Sequence, residues 1–179
     1  MKILKRVLIA LAIIIAIPLV VALFVNNDYT IEREVVINKP KQDVFNYIKL
    51  LKNQPYYSKW AMEDPNAKMT YTGTDGTPGF TAAWESDNKH VGKGEQTITK
   101  ITDGERMDMD LHFIKPMEGK GSAFISTEAL SPNQTKVKWG MNGRMHYPLN
   151  FMLVVINMDK MLGCELAIGL TNLKTVLEK

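Results

Sequence analysis

The chain has 179 residues, 45% of them hydrophobic, and carries 22 Lys and Arg against 19 Asp and Glu. That length suits one domain with at most a small appendage, and a charged fraction of 23% excludes a wholly disordered chain. A single cysteine excludes an internal disulfide framework and a Cys-rich zinc site.

The basic excess lies at the very start. Lys2, Lys5 and Arg6 are the only charges before Asn26, and taking these three from 22 leaves 19 basic residues against 19 acidic ones. Positions 26–179 are formally neutral and hold no long run of like charge. Nucleic acid is therefore not an expected partner, because phosphate contacts need a local basic surplus. Val7–Val25 carries no charge at all. As a helix it would be roughly 28 Å long, about the thickness of a hydrocarbon core, and Pro18 inside it is tolerated in a membrane. The other reading is a cleaved leader ending at Val20-Val21-Ala22, but leader cores are shorter. Positive charge before the span, with Asn26, Asn27 and Asp28 after it, orients residues 1–6 to the cytoplasm and 26–179 outside. A single-pass membrane protein with a periplasmic or extracellular domain is expected. The lone Cys164 fits such a compartment.

In chain order, Tyr29–Ile37 reads as a first strand with Ile31, Val35 and Ile37 on one face. Pro40 opens an amphipathic helix through Val44, Phe45 and Ile48, and a second short helix or turn covers Leu50–Ser58. From Lys68 the pattern becomes strands separated by turns. Met69 and Tyr71 alternate in one strand, and Phe80, Ala82 and Trp84 share a face in the next. Gly94–Ile101 ends at Asp103-Gly104, a two-residue hairpin signal. Arg106–Ile114 alternates strictly, sending Met107, Met109, Leu111 and Phe113 one way and Asp108, Asp110 and His112 the other. Gly121–Ala129 and Thr135–Arg144 follow, with Val137, Trp139 and Met141 inward. Such alternation marks antiparallel strands with one buried face. Leu149–Met158 is apolar nearly all round. Gly163 then interrupts, and Leu166, Leu170, Leu173 and Leu177 form a helical stripe. Burying four leucines contributes about 6–12 kcal/mol before entropy, so this helix must lie on the sheet. The expected fold is α+β, in the order β-α-α-β6-α, with one curved antiparallel sheet of about seven strands around a long C-terminal helix.

With the segments YTIEREVVINKPKQDVF (29–45), PYYSKW (55–60) and MDKMLGCELAIGLTNL (158–173), the chain resembles the SRPBCC superfamily, the START-like helix-grip fold. The subgroup it is most similar to is that of polyketide cyclase/dehydrase and lipid transport. The resemblance covers Tyr29 to Leu177 and includes no catalytic signature. It implies an apolar cavity between sheet and helix for lipids, sterols, polyketides or similar ligands; some members are enzymes.

The residues themselves also motivate a cavity. Met69, Tyr71, Phe80, Trp84, Met107, Met109, Phe113, Trp139 and Met141 would face the concave side, with Trp60 near the rim. Methionines and aromatics make an adaptable, polarisable lining, although the same side chains also fill ordinary solid cores. Arg33 shares the inward parity; it snorkels at the sheet's end or binds a ligand carboxylate or phosphate. The continuous run Phe151–Ile156 is either buried on the sheet or a membrane-touching gate.

Chemical candidates are thin. Asp108 with Asp110, and Glu32 with Glu34, each share a face, but the polar outer one. His90, His112 and His146 lie in different elements, so no metal site is expected. Cys164 has no companion motif and reads as structural, buried or at a helix start. Gly92-Lys93-Gly94 is too short for a phosphate loop. Asn133-Gln134-Thr135 fits a glycosylation sequon, which matters only in a eukaryotic secretory pathway. No catalytic residue and no cofactor is expected. The expected function is binding of a hydrophobic small molecule or lipid. The alternatives are a cyclase- or hydrolase-like enzyme on an apolar substrate, or a non-catalytic envelope stress or interaction protein.

Overall fold

The computed structural model describes residues 2–179. Lys2–Ala22 forms one helix, α1, whose apolar side chains stay exposed along its length. Uniform greasiness leaves it no polar face to turn to water and no single stripe to pack, which suits a lipid environment.

Strand β1 (Asp28–Ile37) begins a few residues after α1. Helix α2 (Lys41–Ile48) starts behind Pro40 and buries Val44, Phe45 and Ile48. A 3-10 turn, Leu51–Tyr56, holds Pro55, and α3 (Lys59–Met62) adds one further turn. The strands β2 (Lys68–Thr72), β3 (Thr81–Glu85), β4 (Lys93–Thr102), β5 (Arg106–Lys115), β6 (Gly119–Ser131) and β7 (Gln134–Arg144) follow. The sheet order is β1-β7-β6-β5-β4-β3-β2, every neighbour antiparallel. After β7 come a 3-10 turn (Leu149–Phe151), the four-residue α4 (Met152–Val155) and the long α5 (Met158–Leu177). The seven-stranded sheet closing on one long C-terminal helix is the helix-grip fold.

Three details differ from the sequence expectation. Gly163 does not interrupt the last helix. It lies buried inside α5, which runs unbroken from Met158 behind Asn157, whose side chain caps Lys160 N at 2.8 Å. A Cβ at Gly163 would overlap the Arg33 guanidinium, and one at Gly169 would press the Trp139 ring. Both glycines thus pay their helix-propensity penalty so that α5 can lie close to the sheet. Secondly, the hairpin after β4 turns over three residues, 103–105, with Gly104 at φ 70°; the left-handed residue closes a three-residue loop. Thirdly, Cys164 is exposed on α5, neither buried nor at the helix start.

The register also orients the domain on its anchor. Asp28 pairs with Arg144, Phe113 with Gly119, Lys93 with Lys115 and Lys68 with Glu85. These positions share the sheet's anchor-side end. The turns 86–92 and 116–118 and the segment 145–157 therefore lie at the same end of the sheet as the foot of α1, with the turn Leu149–Phe151 in contact with it. The linker 38–40 and the turns 103–105 and 132–133 lie at the opposite end.

Candidate functional site

Directly opposed residues in an antiparallel sheet point to the same face. The pairings therefore read as rows across the concave side. Arg33, Trp139, Ile125, Met107 and Ile101 form one row beneath α5. Ile31, Met141, Ala123, Met109 and Ile98 form the next, and Phe80 reaches the same row by accepting a backbone bond from Ile98 N. Tyr29, Gly143, Gly121, Leu111, Gln96, Ala82 and Tyr71 form a third, and Met69, Trp84, Gly94 and Phe113 a fourth at the anchor-side end.

The ten candidate side chains on strands and the loop before β3 thus share one face, yet they fall into separate clusters. Trp139 meets Trp60 of α3 edge-on at 6.1 Å and Tyr57 at 5.7 Å. Tyr71 stacks on Phe80 at 6.0 Å, with the Lys52 ammonium 5.3 Å from the Tyr71 ring. Trp84 meets Phe113 at 6.2 Å and donates from its indole N–H to Val91 O at 3.2 Å. Phe80, Met107, Met109 and Trp139 are buried; Trp60, Met69, Trp84 and Met141 are half-buried; Tyr71 and Phe113 are more than a third exposed. The deep part of the grip is packed by its own side chains, and accessibility increases towards β2, β3 and the anchor side.

Arg33 stands opposite Trp139 and is engaged by the protein itself. Its Nη1 and Nη2 donate to the two Asp159 carboxylate oxygens at 2.9 Å each, and further to Glu32 O and Asp159 O. The forked geometry clasps the first turn of α5 onto β1. These bonds hold the Asp159 carboxyl below the usual aspartate range.

The interior has a polar centre that sequence reasoning overlooked. Gln54 and Gln96 face each other, Gln96 Nε2 donating to Gln54 Oε1. Tyr57 is fully buried; its hydroxyl lies beside the Gln54 side chain but makes no well-formed hydrogen bond among the described residues. Burial pushes that phenol well above the ordinary tyrosine range. Gln96 was legible, because it alternates with Gly94 and Ile98. Tyr57 was not, because the irregular turn before it has no period.

Outside the grip, two open hollows mark the surface. One of about 250 Å³ lies on the outer face among Glu32, Glu128, Lys136, Lys138, Arg106 and Phe124. Its charges are matched: Lys138 with Glu32 at 3.2 Å, Lys136 with Glu128, and Arg106 with Asp108 at 2.7 Å while lying 3.9 Å above the Phe124 ring. Phe124 breaks the alternation; it is buried on the outer side over Gly140, where a Cβ would overlap its ring. The other hollow, about 400 Å³ and more open, lies at the anchor-side end among Tyr29, Gly121, Gly143, Lys120 and Arg144. His112 lies 3.5 Å from Glu95 and 3.6 Å from Glu118, and no cluster of metal-ligating residues occurs among the described residues.

The sheet, its grip on α5 and the apolar concave face define a helix-grip fold. No protein-family model matches the sequence, and no curated protein matches it. Among solved structures, the chain is similar to truncated norcoclaurine synthase from Thalictrum flavum, at 12% identity and a TM-score of 0.58, covering 87% of this chain and 98% of that one. It is likewise similar to Ara h 8.0201, at 14% identity and 0.53, covering 84% and 97%. A protein from Chromobacterium violaceum matches at 14% and 0.58, covering 84% and 97%. At such identities the likeness concerns the fold; chemistry must be argued from the site.

Proposed function

We propose that the chain is a single-pass, membrane-anchored, extracytoplasmic protein that holds a hydrophobic small molecule or lipid between its sheet and α5. Within SRPBCC, the subgroup of polyketide cyclases and lipid transport fits the segments 29–45, 55–60 and 158–173 best. The observation that carries the reading is the orphaned Tyr57 hydroxyl, buried beside Trp139 and near the Gln54–Gln96 pair. An unpartnered buried hydroxyl is costly, and the polar atom of a ligand entering from the more open β2–β3 side would relieve it, the side chains now packed in the deep grip moving aside for its apolar body. Arg33 acts in this reading as the clasp of α5. The half-buried Met69, Trp84 and Met141 and the more exposed Tyr71 and Phe113 would line the accessible part, with Phe151–Ile156 as the gate beside the membrane.

The test is mass spectrometry of molecules that co-purify with the detergent-extracted full-length chain, comparing parent, Tyr57→Phe and Trp84→Ala. A retained lipid or apolar metabolite is expected in the parent and less of it in both variants. Tyr57→Phe should at the same time raise the stability of the empty protein, by up to about 1–3 kcal/mol, since it removes an unmet donor. A parent that retains nothing, from its own membranes or after incubation with a lipid extract, would sink the proposal.

A further inference from the structure

The foot of α1 is held by the domain and not merely joined to it. Asn150, in the turn Leu149–Phe151, is 1% exposed. Its Nδ2 donates to the carbonyl of Ala22 at 2.7 Å and to that of Val25 at 3.1 Å. The last carbonyls of a helix have no partner within the helix, so the amide supplies what α1 lacks at this end. Nearby, Met145 N donates to Asn27 O at 2.8 Å, extending the β1–β7 pairing towards the helix. The connection between α1 and the sheet is therefore pinned at three carbonyls, and Ala22 is the buried residue of α1.

Asn150 makes no other side-chain hydrogen bond among the described residues, and its Oδ1 is buried without a partner. The domain thus buries an amide, with one oxygen unmet, whose donor bonds go only to the last residue of α1 and the linker that follows it. A residue serving only the domain's own packing would be apolar here, as its neighbours are.

Around this joint the surface is apolar. Leu149, Val154 and Val155 are 59%, 65% and 71% exposed, and Leu23, Phe24 and Tyr147 are exposed with them. They belong to the two segments that Asn150 ties together, the foot of α1 and the stretch 147–155. The patch is continuous with the end of a helix apolar enough to span a membrane. The occupant that this continuity selects is the lipid leaflet from which α1 emerges.

We infer that Asn150 is a joint residue that fixes the domain on its anchor in one orientation and thereby lays residues 147–155 into the interfacial layer of that leaflet. This rests on reading α1 as a retained span. It also deepens the proposed function: a gate held in the leaflet would receive an apolar molecule without passage through water.

The experiment uses the full-length chain in phosphatidylethanolamine–phosphatidylglycerol nanodiscs. Cys164→Ser removes the native thiol, and a nitroxide is placed at Val155→Cys or, separately, at Ile13→Cys. Collisional relaxation by oxygen, which concentrates in lipid, is compared with that by a water-soluble nickel chelate. The label at 155 is expected to prefer oxygen in the Asn150 protein and to lose that preference in Asn150→Ala. In Asn150→Asp the loss should be at least as large, since a carboxylate would face two carbonyls. A spin label on Cys164 in otherwise unaltered chains, with far-UV circular dichroism, reports whether each variant keeps α5 folded. If Asn150→Ala unfolds, label depth in the Asn150 protein still decides on the leaflet contact. Four results would overturn the inference. They are a water-exposed label at 155, one shielded from both reagents as under a second protein copy, a depth unchanged in a folded Asn150→Ala, and an Ile13 label in water. The last sinks the span reading as well. A chain that retains no lipid yet shows the expected depths sinks ligand binding alone.

Discussion

α1 and α5 are nearly the same length, 21 and 20 residues, and both are rich in aliphatic side chains. Their fates differ because of the placement of polar residues. α5 alternates Leu166, Leu170 and Leu173 with Glu165, Thr171 and Lys174, so it has one face for the sheet and another for water. α1 has no polar residue from Val7 to Val25, so no orientation against a sheet would hide it. Apolar content by itself therefore does not say where a helix goes; angular distribution does.

That contrast can be challenged, first at the face α5 covers. Trp139→Ala removes the ring on which Gly169, Tyr57 and Trp60 close, and should cost about 3–5 kcal/mol, read as a fall in the chemical-denaturation midpoint with unchanged slope. Leu166→Ala, fully buried on the same helix, should cost about 2–5 kcal/mol. Losses below 1 kcal/mol at both positions would mean that α5 is not seated as described. A charge in α1 should act on a different readout. Ile13→Arg at mid-span carries an insertion penalty of about 2.5–3.5 kcal/mol and should shift the chain from carbonate-resistant membranes to the soluble fraction, leaving the domain's fold intact. A variant that stays in the membrane would weaken the reading of α1 as a span.

The smallest effect belongs to the clasp. Asp159 sits at the solvent-facing start of α5, and its pair with Arg33 is partly exposed, so Asp159→Asn should lower the melting temperature only slightly. The pH dependence fixes the sign. The Asp159 carboxyl is held below its ordinary value of 3.8, so the folded state binds that proton less readily than the unfolded chain. The clasp's contribution is complete above 3.8 and fades as pH falls through the lower folded value. The melting temperatures of parent and Asp159→Asn should therefore differ at neutral pH and converge in strong acid. A difference that grows towards acid would contradict the assignment.

Much of this architecture was open to sequence reading, because period-two alternation has one physical meaning when a sheet buries one face. Met107, Met109, Trp139 and Arg33 have the parity their strands predicted. Gly163 misled, because low helix propensity reads as a break until a bulky neighbour explains it; the Arg33 guanidinium beneath it is brought there from 130 residues away in sequence. Phe124 departs from the alternation for a reason equally remote, its outward burial depending on Gly140 across the strand pair and Arg106 above. Asn150 did leave a trace, as one of two amides in the greasy run 149–158, but its role needed the end of α1 beside it.

The sequence by itself determined the long apolar N-terminal helix, the neutrality of the folded part, the helix-grip order of elements and the inward face of the strands. These follow from charge placement and from the periods of apolar residues, which are properties of neighbours along the chain. Only the tertiary structure decided that Arg33 is spent on Asp159, that the deep grip is packed while the α1-side end of the sheet opens, that Tyr57 keeps an unmet hydroxyl, and that Asn150 grips the end of α1. Each of those depends on atoms distant in sequence meeting within a few ångströms, and no local period encodes such a meeting.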